Sequence, residues 1–189
     1  MRIFAVNLEY QESKREHILS EGKRYDLNIE IVNAVAGKDL SEQELDEQVI
    51  DHENNMLKKG EIGCSLSHMK IYKRMMDENI PIALVLEDDA VLLDELVPAM
   101  ADIEQYDDAN KPNVYILTAI ERYYPMIKKK MGSTTLYKVH RTCYTHGYII
   151  NNAAARKLYE HFYPVWMVAD SWEVFKLIAG IKIYGTIPY

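Results

Sequence analysis

The chain has 189 residues, a net charge of −7 and 48% hydrophobic residues. This length suits one α/β domain with a substantial core. The acidic balance excludes the basic surface of a typical nucleic-acid-binding protein. The first apolar run, residues 3–6, is too short for a signal peptide, and no later window reaches the length of a transmembrane helix. We therefore expect a cytoplasmic protein with at most peripheral contact at the inner membrane.

The first half of the chain alternates predicted strands and helices. The predicted strands are residues 3–6, 29–32 and 82–86, and the predicted helices are residues 13–23, 41–50 and 60–79. Ser41 and Glu44 form a capping-box pattern at the start of the second helix. Residues 36–39 are predicted as a turn and residues 52–59 as a mobile loop. The continuously apolar run at 82–86 indicates a strand covered on both faces, as in the centre of a parallel sheet.

The second half continues the alternation. Strands are predicted at residues 114–117, 148–150 and 181–184, with an edge strand at 135–139. Helices are predicted after Asp94 and at residues 153–162 and 170–178, and residues 121–130 are predicted as a loop. Strands separated by helices indicate a layered α/β fold, which we interpret as a single domain over residues 1–189.

An acidic triplet, Glu87-Asp88-Asp89, directly follows the apolar strand at 82–86. Adjacent carboxylates repel one another, and a divalent cation such as Mg²⁺ or Mn²⁺ would offset that repulsion. Ligands of open α/β sheets bind beyond the carboxyl ends of strands, where this triplet is expected. The alternative is a solvated turn whose carboxylates cap the following helix.

Two motifs make the pattern more specific. Residues 83–90 read ALVLEDDA, and residues 60–68 in the preceding helix read GEIGCSLSH. Both resemble segments of glycosyltransferase family 25, which includes bacterial lipooligosaccharide galactosyltransferases and collagen galactosyltransferases. Further similar segments occur in the same order at residues 6–8 with Lys14 and Arg15, at 34–40, and at 147–155. The GEIGC segment argues against the alternative of a metal-dependent phosphohydrolase or nucleotidyltransferase.

The resemblance implies a GT-A fold, a mixed Rossmann-like sheet flanked by helices, and transfer of a hexose with inversion. It implies a uridine-diphosphate sugar, galactose above all, as donor, a lipooligosaccharide or related oligosaccharide as acceptor, and Mn²⁺ or Mg²⁺ on Asp89, Asp88 and Glu87. A bound cation would neutralise charge on the departing diphosphate. The residues expected to contact the donor are Asn7, Arg15, Lys38, Gly60, Ser67 and His68.

Several of these residues have ordinary alternatives. His68 is either a site residue or a helix-packing histidine, and Gly60 either lets the backbone approach the donor or is a common loop glycine. Asn7, Arg15 and Lys38 could equally be surface polar residues. Cys64 is expected to pack as a small side chain. Cys64 and His68 are four residues apart and could face the same way, but two ligands do not make a convincing zinc site.

Asp170 is the candidate general base for the acceptor hydroxyl, and Glu173 is a weaker alternative. The competing interpretation of Asp170 is a plain N-cap of the helix at 170–178.

The loops contribute weaker candidates. Aromatic faces suit sugar stacking, so Tyr123, Tyr124, Tyr144 and Tyr148 are either acceptor contacts or packing residues. The basic run at residues 128–130 either binds an anionic lipid or acceptor or belongs to a solvent-exposed loop.

The chain ends at Pro188-Tyr189, whereas similar family members continue beyond the equivalent proline. We therefore expect that a C-terminal lid over the donor is absent. A catalytically impaired donor-binding or regulatory domain is accordingly the alternative function.

Overall fold

The computed structural model describes residues 1–187, and Pro188 and Tyr189, where the tail was expected to be missing, lie outside the described residues. The strands are β1 (Arg2–Asn7), β2 (Ile29–Asn33), β3 (Ile82–Glu87), β4 (Asn113–Ile116), β5 (Arg122–Met131), β6 (Thr134–Arg141), β7 (Gly147–Asn151) and β8 (Lys182–Thr186). The helices are α1 (Glu12–Arg24), α2 (Glu42–Gln48), α3 (Lys59–Asp77), α4 (Leu96–Tyr106), α5 (Asn152–Phe162) and α6 (Trp172–Ile178), with a short 3-10 helix at Gly37–Asp39.

One mixed sheet, ordered β2-β1-β3-β7-β4-β8-β6-β5, forms the middle layer of the domain. Alternate residues of a strand face opposite sides, so β3 directs Ala83 and Val85 into one core and Leu84 and Leu86 into the other. The first core is covered by α3, α5 and α6, and the second by α1 and α4. The predicted α/β architecture of the GT-A type, with a sheet flanked by helices, is confirmed.

The strand β3 is buried on both faces, as its apolar sequence predicted. Its neighbours differ from the expectation, because β3 pairs parallel with β1 but antiparallel with β7. An apolar run shows that both faces are covered, but it carries no information about the direction of the neighbouring strand.

The predicted loop at residues 121–130 is wrong, because these residues belong to β5 and form a hairpin with β6. Strand β6 was correctly predicted but is not at the edge: it lies between β5 and β8. The error has a physical cause. Nearly all of β5 is exposed, so it lacks the alternation of a half-buried strand. Its lysines are typical of an edge strand, and Pro125 lies at an irregularity in the pairing.

Smaller differences concern helix ends. Helix α2 begins with the predicted capping box, in which Glu44 N–H donates to the Ser41 hydroxyl, but it ends at Gln48 instead of residue 50. Val49 instead forms a bridge with Val165, which joins α2 to the segment before α6. Helix α6 begins at Trp172, two residues later than predicted. Among the described residues, no helix combines the length and hydropathy needed to cross a bilayer.

Candidate functional site

The strands that follow β1 in the chain, β2 and β3, lie on opposite sides of it, and this creates a cleft at the carboxyl ends of β1 and β3. The chain passes from β1 through α1 to β2 on one side, and then returns through α3 to β3 on the other side of β1. Helices α1 and α3 cover opposite faces, so the strand ends between them stay open, as at the switch point of doubly wound sheets. The cleft has a volume of about 390 Å³.

Asp88 is fixed to the two elements beside it. Its carboxylate is buried, and it accepts hydrogen bonds from Asn7 Nδ2 at 2.8 Å and from Lys14 Nζ at 3.2 Å. Asn7 in turn accepts a bond from Arg15 Nε at 3.1 Å. Partial burial disfavours the Lys14 ammonium, but Asp88 and Asp89 outweigh it and raise the pKa of Lys14. Both oxygens of Asp88 are therefore engaged in holding β1, α1 and β3 together.

Glu87 and Asp89 point to a different place from Asp88. Oxygen atoms of Glu87 and Asp89 and a ring nitrogen of His146 all lie within 4.8 Å of one another. The Thr145 hydroxyl donates to Glu87 Oε1, which fixes this carboxylate. Two carboxylates and an imidazole suit Mn²⁺ or a similar divalent ion, so the donor set fits the metal that the resemblance implies.

Ser67 connects the start of α3 to the loop after β2. Its hydroxyl accepts a hydrogen bond from Val35 N–H at 2.8 Å and donates to Gly63 C=O at 2.6 Å. The close approach of α3 to this loop also requires glycine at position 63, because a Cβ on Gly63 would lie 2.5 Å from Val35 O. Ser67 thus lines the cleft while shaping its wall.

His68 lies at the bottom of the cleft with one ring nitrogen bonded and one free. Nδ1 lies 2.7 Å from the Tyr148 hydroxyl, which in turn lies 2.7 Å from the Tyr72 hydroxyl. Nε2 is buried, has no hydrogen-bond partner in the described part of the chain, and lies 4.0 Å from Glu87 Oε1. Burial lowers the pKa of His68 to about 4, so the ring is neutral near neutral pH.

The remaining predicted donor contacts occupy different positions. Lys38 lines the cleft, with its ammonium 4.5 Å from the centre of the Tyr10 ring. Gly60 also lines the cleft, but a Cβ there would meet nothing within 4 Å, so no protein contact requires glycine. Arg15 is not among the cleft-lining residues and instead contacts Asn7 and the backbone of Glu9. Their contact with a donor remains a prediction.

Asp170 is not the N-cap of α6, because Ser171 occupies that position and makes no side-chain capping bond. Burial raises the pKa of Asp170, the charge of Glu61 adds to this, and a backbone N–H partly opposes it. Asp170 is not among the residues that line the cleft, but the segment before it contacts α3, because the Ser65 hydroxyl donates to Met167 C=O at 3.0 Å. A half-buried carboxylate with a raised pKa is suited to accept a proton.

The tyrosine candidates separate by burial. Tyr148 lies in β7 and is fully buried, so it is a packing residue, which was one of its two predicted roles. Tyr144 is exposed in the loop before β7. Tyr123 and Tyr124 are exposed on β5, which also carries the basic run Lys128-Lys129-Lys130.

Thr145, His146 and Lys14 were not among the predicted site residues. Thr145 and His146 lie beside Glu87 only because β7 runs antiparallel to β3, so that the start of β7 meets the end of β3. Lys14 could have been predicted as a site residue, because it belongs to the basic pair Lys14-Arg15 that resembles a segment of the family.

Comparison with known proteins identifies the family of the chain. The described residues form a GT-A-like fold of the glycosyltransferase class. A family model described as "Glycosyltransferase family 25 (LPS biosynthesis protein)" matches residues 1–172. The chain belongs to glycosyltransferase family 25, as the two motifs predicted.

The individual relatives share less than a third of their aligned residues with this chain. The chain is 27% identical over 168 residues to procollagen galactosyltransferase 2 of Homo sapiens, covering 82% of this chain and 27% of that protein. It is 29% identical over 169 residues to a glycosyltransferase 25 family member of Aedes aegypti, covering 84% and 28%. It is 22% identical to lipooligosaccharide biosynthesis protein lic2B of Haemophilus influenzae, covering 84% and 62%. The chain therefore spans less than two thirds of the length of these relatives.

Proposed function

We propose that this glycosyltransferase moves a hexose, galactose, from a uridine-diphosphate sugar to an oligosaccharide acceptor of the lipooligosaccharide type, with inversion and with a divalent cation. The observation that carries the proposal is the convergence of Glu87, Asp89 and His146 at the carboxyl end of β3, where both carboxylates line the cleft. The names of the relatives support galactose as the sugar and lipooligosaccharide as the acceptor.

Within this proposal the three carboxylates have different roles. Glu87 and Asp89 hold Mn²⁺ or Mg²⁺, which would neutralise charge on the leaving diphosphate. Asp88 positions them, because its two bonds to Asn7 and Lys14 fix the turn that follows β3. Lys14 also lies 3.6 Å from Asp89, so its charge limits repulsion between neighbouring carboxylates before a cation binds.

Acceptor activation is assigned to Asp170. Inversion in a single displacement needs one base that removes the proton of the acceptor hydroxyl as the new bond forms. Asp170 has no side-chain role in capping α6, and its burial favours the protonated form that results from this transfer.

The test is calorimetric titration with uridine-diphosphate galactose, with and without Mn²⁺, followed by an assay of transfer. Asp89→Asn removes a ligand and keeps the shape of the side chain. Loss of an indirect metal partner typically costs 10–100-fold, so loss of a direct ligand should weaken Mn²⁺-dependent binding by at least about 100-fold. Asp26→Asn is the matched control, because Asp26 is exposed at the far end of α1 with a positive φ that asparagine tolerates.

Metal-independent binding, or equal affinity in both variants, would contradict the assignment of Asp89. Metal-dependent binding without transfer would favour the impaired donor-binding domain. Parallel titrations with the glucose and N-acetylglucosamine donors test the sugar, because a site that bonds one hydroxyl discriminates strongly against an analogue that lacks it.

A further inference from the structure

A second group of ligand atoms lies on the α3 side of Glu87. Cys64 Sγ, a nitrogen of His68 and an oxygen of Glu87 lie within 4.8 Å of one another. Cys64 and His68 are four residues apart on α3, which places them on the same face of the helix. All three residues line the cleft, so the group is reachable from solvent.

The free nitrogen of His68 is an independent indication of a ligand. His68 is 1% exposed, and its Nε2 atom, 4.0 Å from Glu87 Oε1, has no hydrogen-bond partner among residues 1–187. A buried polar atom without a partner is costly, and native structures rarely leave one unless something binds there. When Nδ1–H donates to Tyr148, Nε2 carries a lone pair that faces Glu87. Metal-bound histidines are held in this way by a partner on their other nitrogen.

We propose that Cys64, His68 and Glu87 form a site for a thiophilic divalent cation of the Zn²⁺ class, with a fourth position open to the cleft. A thiolate, an imidazole and a carboxylate are all ligands that zinc accepts, and three protein ligands with one open position are common for it. Mn²⁺ prefers oxygen, so this group and the group at Asp89 select different ions.

Binding at this site has a defined proton balance. A cysteine side chain is ordinarily a thiol near neutral pH, whereas a metal ligand must be a thiolate. The thiol proton passes to the buffer when the metal–sulfur bond forms, while an imidazole that is already neutral releases none. One proton is therefore released for each ion bound near neutral pH.

The two groups share Glu87, and this gives the site a consequence for donor binding. An ion held by Cys64 and His68 draws Glu87 toward α3 and away from Asp89 and His146. Zn²⁺ should therefore oppose binding of Mn²⁺ at the oxygen-rich group.

The experiment uses Co²⁺ as a spectroscopic substitute for Zn²⁺ on the full chain. We expect a thiolate-to-cobalt charge-transfer band, its displacement by Zn²⁺, and release of one proton in calorimetry with buffers of different ionisation enthalpy. Cys64→Ser should abolish the band and weaken Co²⁺ affinity by at least about 100-fold, since even an indirect partner is worth 10–100-fold. Cys143→Ser is the control, because Cys143 is the other free cysteine, exposed and bonded to Glu121.

Asp89→Asn should leave the band unchanged, which separates this site from the proposed donor metal. The proposal is overturned if the wild-type protein shows no band, or if the band survives in Cys64→Ser and disappears in Cys143→Ser. It is also overturned if His68→Gln, folded by circular dichroism, binds Co²⁺ as tightly as the wild type.

Discussion

Gly63 and Gly60 lie in the same turn of α3, and replacing each with alanine should have opposite effects on stability. A Cβ on Gly63 would lie 2.5 Å from Val35 O and 2.7 Å from Gly37 N. Both are backbone atoms, so the clash is relieved only if the loop after β2 moves away from the helix. A Cβ on Gly60 meets nothing within 4 Å.

The magnitude follows from two opposing contributions. Overpacking typically costs about 1–3 kcal/mol, and a clash between backbone elements should lie at the upper end. Alanine gains up to about 1 kcal/mol over glycine in a helix. Gly63→Ala should therefore lose roughly 2 kcal/mol, whereas Gly60→Ala should gain up to about 1 kcal/mol. The two variants should differ by about 3 kcal/mol.

Urea unfolding followed by circular dichroism measures this difference. With a slope of about 2 kcal/mol per molar urea, the midpoints of the two variants should differ by roughly 1.5 M. Gly63→Ala should also weaken donor binding, because the displaced loop carries Lys38. The reasoning is refuted if Gly63→Ala is as stable as Gly60→Ala. A loss of donor affinity in Gly60→Ala without a loss of stability would instead support direct approach of the donor to Gly60.

Two further predictions concern carboxylates whose pKa is shifted in opposite directions. Asp170 must be deprotonated to act as a base, and burial raises its pKa. On acidification, kcat/KM should therefore begin to fall at a higher pH than it would for an ordinary aspartate, which a pH–rate profile tests. Asp170→Asn should abolish transfer and leave donor affinity intact. Asp102 accepts bonds from Ser133 and Thr134 at the β5–β6 turn, which lower its pKa. Its stabilisation is present above its unfolded pKa and is lost as the pH falls through the folded value, so Asp102→Ala should lower the urea midpoint near neutral pH and converge with the wild type in strong acid.

The elements with strong local patterns were the ones that sequence could predict. The apolar face of α3 and the apolar run of β3 each carry their own evidence, and both lie close to the expected positions. The exposed strand β5 carries no such local pattern, because it is held by pairing with β6 and not by a buried face. Strand pairing depends on two segments, and the local pattern of either segment alone does not predict it.

The same limit applies to the site. Glu87, Asp89, His68 and Lys38 were expected near one another, and the structure brings all four to one cleft or its rim. His146 was not expected there, because its position depends on the antiparallel direction of β7. No local pattern distinguishes a strand that runs parallel to β3 from one that runs against it.

The triplet Glu87-Asp88-Asp89 shows what geometry adds to a motif. Three consecutive carboxylates are chemically alike in sequence, but their surroundings differ because β3 ends at Glu87 and the chain then turns, with Ala90 N–H donating to Glu87 C=O. Asp88 is directed toward β1 and α1, where Asn7 and Lys14 donate to it, whereas the carboxylates on either side converge with His146. Asp88 uses both oxygens as hydrogen-bond acceptors, for the Asn7 amide and the Lys14 ammonium, whereas Asp89, within residues 1–187, meets only the same ammonium, at 3.6 Å, and is left with more capacity for a cation. The burial of Asp88 and the exposure of Asp89 therefore separate a positioning role from the proposed metal-binding role within a single turn.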